Sequence, residues 1–202
     1  MSEERLDKRT AKREALKDAL IAVAAKRIER DGLTGFRARD VAADAGCALG
    51  SIYNVFEDLD ALILAVNLRT LSRLGEALGI ATAGLEGKAA LKSLAAAYLA
   101  FARDNQPAWS ALFDHQMAGD APLPDWFLGS PTGLLDQVQH HLALVIGTDD
   151  RGKLDLKSRT YFTAVHGIVA MGLQGRLLGV PTDQLPNALN DFTDELLAGL
   201  SP

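Results

Sequence analysis

Three observations predict an all-α fold. Alanine and leucine dominate a chain that is 48% apolar but only 6% aromatic, a balance that favours helix over sheet. Apolar residues recur at helical spacing along most of the sequence. No run of alternating β-branched residues is long enough to propose a strand. Together these give about nine helices, an N-terminal three-helix helix-turn-helix unit followed by a C-terminal helical bundle. The expected divisions are a flexible arm over 1–10, a helix-turn-helix domain over 11–57 and a second domain over 58–202. A chain of 202 residues is long enough to give such domains a real core.

Residues 1–10 are polar and charged with little to bury, so an arm is expected there. Lys8, Arg9, Lys12 and Arg13 cluster at its end. A first helix is predicted from Ala11 to Asp31, with Leu16, Leu20, Val23, Ala24 and Ile28 as its buried stripe, and Gly32 ends it. The stretch from Arg37 to Leu62 then reads as two short helices, a tight turn between them, and the start of a third. Val41, Ala42 and Ala45 return to one side of the first of these. Gly46 is expected to close it in the left-handed conformation that costs glycine nothing. The next helix, Leu49 to Val55, turns Ile52 and Phe56 inward and leaves Ser51, Tyr53 and Asn54 on its other faces. A buried helix supporting a short polar one is how helix-turn-helix domains present side chains to the DNA major groove.

A long fourth helix is predicted from Asp58 to Gly79, carrying Leu62, Ile63, Val66, Leu71, Leu74 and Leu78, and a glycine-rich piece ends it. The fifth spans Gly87 to Asp104 with Leu91, Leu94, Tyr98 and Phe101 inward. The sixth follows Pro107 and carries Trp109, Leu112, Phe113 and Met117. A loop over 119–125 leads to Trp126 and Phe127. The seventh helix, Thr132 to Ile146, buries Leu135, Val138 and Leu142. The eighth runs from Leu154 to Leu178 and the ninth from Thr182 to Leu200.

Net charge is −5, but it is unevenly spread. Residues 1–56 carry 11 Lys/Arg against 9 Asp/Glu, a balance of +2, and residues 57–202 carry 10 against 17, a balance of −7. The acidic excess therefore lies outside the helix-turn-helix, and local cations, not total charge, decide affinity for phosphates. The single cysteine, Cys47, excludes an intrachain disulfide and any multi-thiolate metal site. It is expected to act as a small buried hydrophobe in the turn, with a redox-sensing thiol as the alternative. The apolar run Ala19 to Ala25 is too short to cross a bilayer, and acidic residues interrupt the basic N-terminus, so no signal peptide is expected and the protein is expected in the cytoplasm. No GxSxG, GxxxxGKS/T or GxGxxG pattern is present, so no enzyme activity and no cofactor are expected. His140 and His141 are adjacent and point about 100° apart on a helix; with His115 and His166 they form no HxxxH or HxxE pair, and no metal site is expected.

Arg39-Asp40-Val41-Ala42, Ala45-Gly46, Gly50-Ser51-Ile52-Tyr53, Phe56 and Leu62 resemble, in order and spacing, the DNA-binding domain of the tetracycline-repressor (TetR) family of bacterial regulators. Val165-His166-Gly167 and Gly172-Leu173-Gln174-Gly175-Arg176, with the Trp109–Phe113 and Pro124-Asp125-Trp126 steps, resemble a C-terminal domain type of that family named for a Trp-His-Gly motif, with valine in place of the tryptophan. Three departures are visible. Phe36-Arg37 stands where the family commonly has a hydroxyl residue that caps the helix and touches a phosphate. Ala48 stands where a hydroxyl often caps the recognition helix. Glu57-Asp58-Leu59-Asp60 lacks the lysine the family usually places at the entrance to helix four.

The resemblance implies a homodimer packed through the last two helices of each subunit, with small residues such as Gly167, Ala170, Gly172 and Gly175 permitting close approach. Such a dimer reads a palindromic operator with half-sites roughly 34–36 Å apart. The expected DNA-binding residues are Arg37, Arg39, Ala48, Leu49, Gly50, Ser51, Tyr53 and Asn54. Among them Tyr53 takes a phosphate, Ser51 and Asn54 take base edges or phosphates, and the two arginines take backbone phosphates. The second domain is expected to bind an unidentified small-molecule effector through Trp109, Phe113, Met117, Trp126, Phe127, Tyr161 and His166, for each of which an ordinary core position is the competing reading. The function expected is a ligand-released transcriptional repressor. The alternative, motivated by the acidic 57–60 segment, is a dimeric helical sensor or interaction protein that has lost DNA binding.

Overall fold

The structure is a computed structural model that describes residues 3–128 and 133–199. Among the described residues it holds ten α-helices, a single 3-10 turn (Ala118–Asp120) and no strand. The helices are α1 (Glu3–Asp31), α2 (Ala38–Asp44), α3 (Leu49–Tyr53), α4 (Leu59–Thr82), α5 (Gly87–Asp104), α6 (Gln106–Asp114), α7 (Asp125–Leu128), α8 (Leu134–Ile146), α9 (Arg151–Leu173) and α10 (Leu185–Ala198). They fall into two compact units. One is residues 1–71 with 105–130, the other residues 72–104 with 131–202, so the boundary lies within α4.

The first unit is built around α1. Leu20, Ala24 and Ile28, the centre of the predicted stripe, are fully buried, joined by Val41 and Ala42 of α2, Ile52 of α3, Phe56, Leu62 and Val66 of α4, and Ala108 and Ala111 of α6. A five-residue helix such as α3 cannot hold itself together in water; it exists because Ile52 is locked into this core. The second unit is the bundle of α5, α8, α9 and α10. Its core includes Leu91, Leu94 and Tyr98 of α5, Val138 and Leu142 of α8, Tyr161, Val165 and Val169 of α9, and Leu185, Leu189 and Leu197 of α10. Gly172 is a close-contact position inside this unit: a methyl group there would lie 2.5 Å from Leu185 Cδ2.

Several boundaries differ from the sequence reading for identifiable reasons. α1 begins at Glu3, not Ala11. Glu, Arg, Leu and Lys are good helix formers and nothing between Glu3 and Thr10 breaks a helix; Met1 and Ser2 lie outside the described residues. α4 passes through Gly79 and ends at Thr82, since one glycine costs a helix only about 1 kcal/mol. α6 stops at Asp114 and the backbone is extended at His115, so Met117 lies beyond the helix. There Asp60 Oδ2 accepts a 2.8 Å hydrogen bond from the Ala118 amide and draws the chain across α4. α9 ends at Leu173 rather than Leu178: Gly175 is at φ +60°, its amide donates to Gly172 O and that of Arg176 to Met171 O, a complete Schellman stop. Thr132 and Leu200, the expected start of the seventh helix and end of the ninth, lie outside the described residues.

Candidate functional site

The turn between α2 and α3 is set by one residue. Gly46 sits at φ +66°; its amide donates to Ala43 O at 3.1 Å and the Cys47 amide to Ala42 O at 3.0 Å. These are the paired bonds of a Schellman motif, which satisfy the last carbonyls of α2 and swing the chain into α3. Cys47 is half-buried with a free thiol. With Ile52 anchored, the rest of α3 faces outward: Ala48, Leu49, Gly50, Tyr53 and Asn54 are exposed and Ser51 is half-buried. Tyr53, half exposed, and Leu49 are among the large side chains the fold leaves in solvent. Arg37 and Arg39 are exposed as well. Arg37 occupies the N-cap of α2 and Ala48 that of α3, and neither gives a side-chain cap. Arg39 rests 3.5 Å from Asp40 with two thirds of its side chain in water, an arrangement that costs little to break.

Two contacts that the sequence did not suggest brace this surface. Arg13 of α1 donates from Nε to Asn54 O and from Nη2 to Val55 O, both at 3.3 Å. Asn54 is the C-cap of α3 and Val55 the residue after it, so this cation satisfies the carbonyls that follow the helix and complements the negative end of its dipole. Arg27 Nε bonds Asp44 Oδ2 at 2.6 Å, tying α1 to α2; this bond raises the arginine pKa and lowers that of the carboxyl.

The acidic segment before α4 is mostly absorbed by the fold. Asp58 Oδ1 accepts the Ala61 amide at 2.7 Å and so caps α4. Asp60, its side chain 16% exposed, takes the Ala118 amide and lies 3.6 Å from Nε2 of the buried His115. Glu57 is exposed. Of the three carboxylates, only Glu57 has no structural duty of this kind among the bonds described.

The expected effector residues divide between the two units. Trp109, Phe113, Met117, Trp126 and Phe127 belong to the first. Trp109 is buried with its ring edge-on to Phe113, while Phe113 and Trp126 are exposed and Met117 and Phe127 half-buried. Tyr161 and His166 belong to the second unit, where Tyr161 lines a cavity of about 20 Å³ with Leu94 and Tyr98 of α5, Leu134 and Val138 of α8, and Phe162 of α9. That is room for about one water. Tyr161 Oη donates to Leu91 O at 2.8 Å and lies 3.3 Å from Thr193 Oγ1; burial pushes its phenol up to about 12, so it remains a neutral donor. Tyr98 Oη and His166 Nδ1 are 2.8 Å apart, with the Phe162 ring stacked on the imidazole. Tyr98 reads in the sequence as plain core, and only the fold pairs it with His166. Among the described residues no group of three His, Cys, Asp or Glu could hold a metal, and no helix is long and apolar enough to cross a membrane.

Similar folds are known. A protein of unknown function from Rhodococcus sp. RHA1 is 25% identical with a TM-score of 0.71, over 93% of this chain and 96% of that one. A tetR-family transcriptional regulator from Streptomyces coelicolor is 21% identical at TM-score 0.65, over 92% and 81%. A TetR variant from Acinetobacter baumannii AYE in complex with minocycline is 17% identical at TM-score 0.63, over 89% and 93%. No curated protein matches the sequence. The family model for the tetracyclin repressor-like C-terminal domain matches residues 91–196, just over half the chain and including Val165-His166-Gly167. The chain therefore belongs to the tetracycline-repressor-like (TetR) family.

Proposed function

We propose that this protein is a homodimeric transcriptional regulator that represses by binding a palindromic operator and is released by a small-molecule effector. The observation that carries the reading is the outer face of α3. Ser51 and Tyr53, with Asn54 at the C-cap, stand on a helix whose inner side is pinned by Ile52 and whose exit, at the carbonyls of Asn54 and Val55, is held by Arg13. Such a face is rigid enough to read base edges, and Arg37 and Arg39 beside it supply cations for phosphates. Tyr53 takes a phosphate, and Ser51 and Asn54 take base edges or phosphates.

The minocycline complex of the Acinetobacter baumannii protein supports binding of a small-molecule effector, and we assign that role to the second unit. In this chain Tyr161 and His166, with Tyr98, are the polar groups set among the apolar and aromatic side chains of that bundle. Derepression requires that the effector bind one conformation of the dimer better than the other, and α4, which runs through both units, is the lever. The last two helices form the dimer interface. Met171, Leu177 and Leu178, exposed at and after the end of α9, are apolar surface suited to it. The alternative of a sensor without DNA binding rested on the 57–60 carboxylates. Two of these are occupied as a helix cap and a tertiary tie, so the regulator is favoured.

Selection from a random duplex pool, titrated with salt, tests the proposal. The expected result is a palindrome with half-sites about 34–36 Å apart, bound more weakly as salt rises. A folded dimer that enriches no sequence at low salt would refute it.

A further inference from the structure

We propose that the first unit carries a small-molecule site of its own, a groove between α1, α4 and α7 that takes a compact aromatic ligand with no net charge. The groove has a volume of about 460 Å³, within the range of about 300–1,000 Å³ usual for small-molecule sites. It is lined by Lys17 and Ile21 of α1, Ala61, Ala65 and Leu68 of α4, and Trp126 of α7. Each pair or triplet follows from helical spacing: 17 and 21 are one turn apart, and 61, 65 and 68 share one face. The space exists because Ala61 and Ala65 end at Cβ where a larger residue would fill it.

The chemistry of the lining selects the ligand. Trp126 is 48% exposed and lines the groove, and an aromatic side chain there favours another ring over an aliphatic chain. Among the described lining residues the charges are one of each sign, Lys17 and Glu57. Lys17 is also within 3.9 Å of Glu14, which further weakens its pull on an anion. An ion of either sign therefore gives up its water without a net field to replace it, and a neutral ring with one polar end is the best occupant. Val55 and Phe56 line the same groove, and they belong to the link that joins α3 to α4. A bound ring would rest on that link directly. The site is separate from the bundle cavity, and its test does not depend on the operator-binding proposal.

N-phenyl-1-naphthylamine, a neutral dye, and 8-anilinonaphthalene-1-sulfonate, the same ring system with one negative charge, test the site on the full chain. The neutral dye is expected to bind saturably, one per chain, and more tightly than the sulfonate. Trp126→Ala should weaken it about tenfold and Ala65→Phe should abolish it, both with unchanged helical circular dichroism. Saturating dye should slow amide exchange over residues 52–58. The proposal is overturned if the wild type binds no neutral dye saturably, if Trp126→Ala leaves affinity unchanged, if the sulfonate binds more tightly, or if exchange over 52–58 is unmoved at saturation. Should Ala65→Phe fail to fold, Trp126→Ala, at a surface position, decides the matter alone.

Discussion

The inner side of α3 is anchored in the core by one side chain, and that dependence can be measured. Ile52 is fully buried in a helix of five residues. Ile52→Ala removes three carbons, worth about 2.4 kcal/mol at about 0.8 kcal/mol per methylene. The cavity left behind raises the total to about 3–4 kcal/mol, within the range seen for such truncations. Both tryptophans of the chain, Trp109 and Trp126, lie in the first unit. Their fluorescence therefore reports unfolding of that unit separately from the helical signal of the whole chain, which matters because two units need not unfold as one. With a urea slope of about 1.5 kcal/mol per molar, the fluorescence midpoint should fall by about 2 M. Ile52→Val should cost about 1 kcal/mol and move it correspondingly less. Tyr53→Ala, at a half-exposed site, should shift stability by no more than about 0.5 kcal/mol while weakening operator binding. An Ile52→Ala midpoint within about 0.5 M of wild type would show that α3 is held by something other than this contact. Operator affinity untouched by Tyr53→Ala would refute its assignment to a phosphate.

Asp58→Ala removes the cap of α4 and should cost about 1 kcal/mol; Asp58→Ser should recover most of it, and equal loss in both variants would mean the cap is not the source. Gly172→Ala drives a methyl group into the buried Leu185 and should destabilise the bundle by about 1–3 kcal/mol in thermal unfolding; an unchanged midpoint would mean α9 and α10 yield there at no cost. His141 is buried in α8, and burial first, then repulsion by His140, lowers its pKa, with Glu86 opposing in part. Since the unfolded chain takes up this proton first, the stability involved is whole above the ordinary value of 6.5 and is lost as pH falls towards the lower folded value. Thermal midpoints from pH 7.5 to 5.5 should therefore fall more steeply for wild type than for His141→Leu, and parallel slopes would refute the assignment.

The helices were legible because their information is local. Leu20, Ala24 and Ile28 announce a buried stripe, and Gly46 announces a left-handed stop. The acidic 57–60 segment was legible only as charge. That Asp58 caps α4 and Asp60 reaches the Ala118 amide depends on where the chain returns after α6, and no spacing rule records that. The four-residue α7 is too short to leave a periodic signal. The aromatic residues were easy to pick out by type, yet their division between the units, with Trp109 and Trp126 in one and Tyr161 and His166 in the other, is a property of the tertiary arrangement. Arg13 read as one cation in a basic cluster; its seat on the carbonyls of Asn54 and Val55 required the fold.

The bundle cavity is no larger than about one water in the conformation described. Anything larger that enters must first part Tyr98, Tyr161 and their neighbours, so its observed affinity is its intrinsic affinity scaled by the fraction of molecules already open. If the proposed effector enters here, the sensitivity of the response is set by how well the empty bundle packs as much as by how well the occupant fits. Substitutions that loosen this core far from any ligand contact should lower the concentration at which the protein responds, and those that tighten it should produce a protein deaf to its signal.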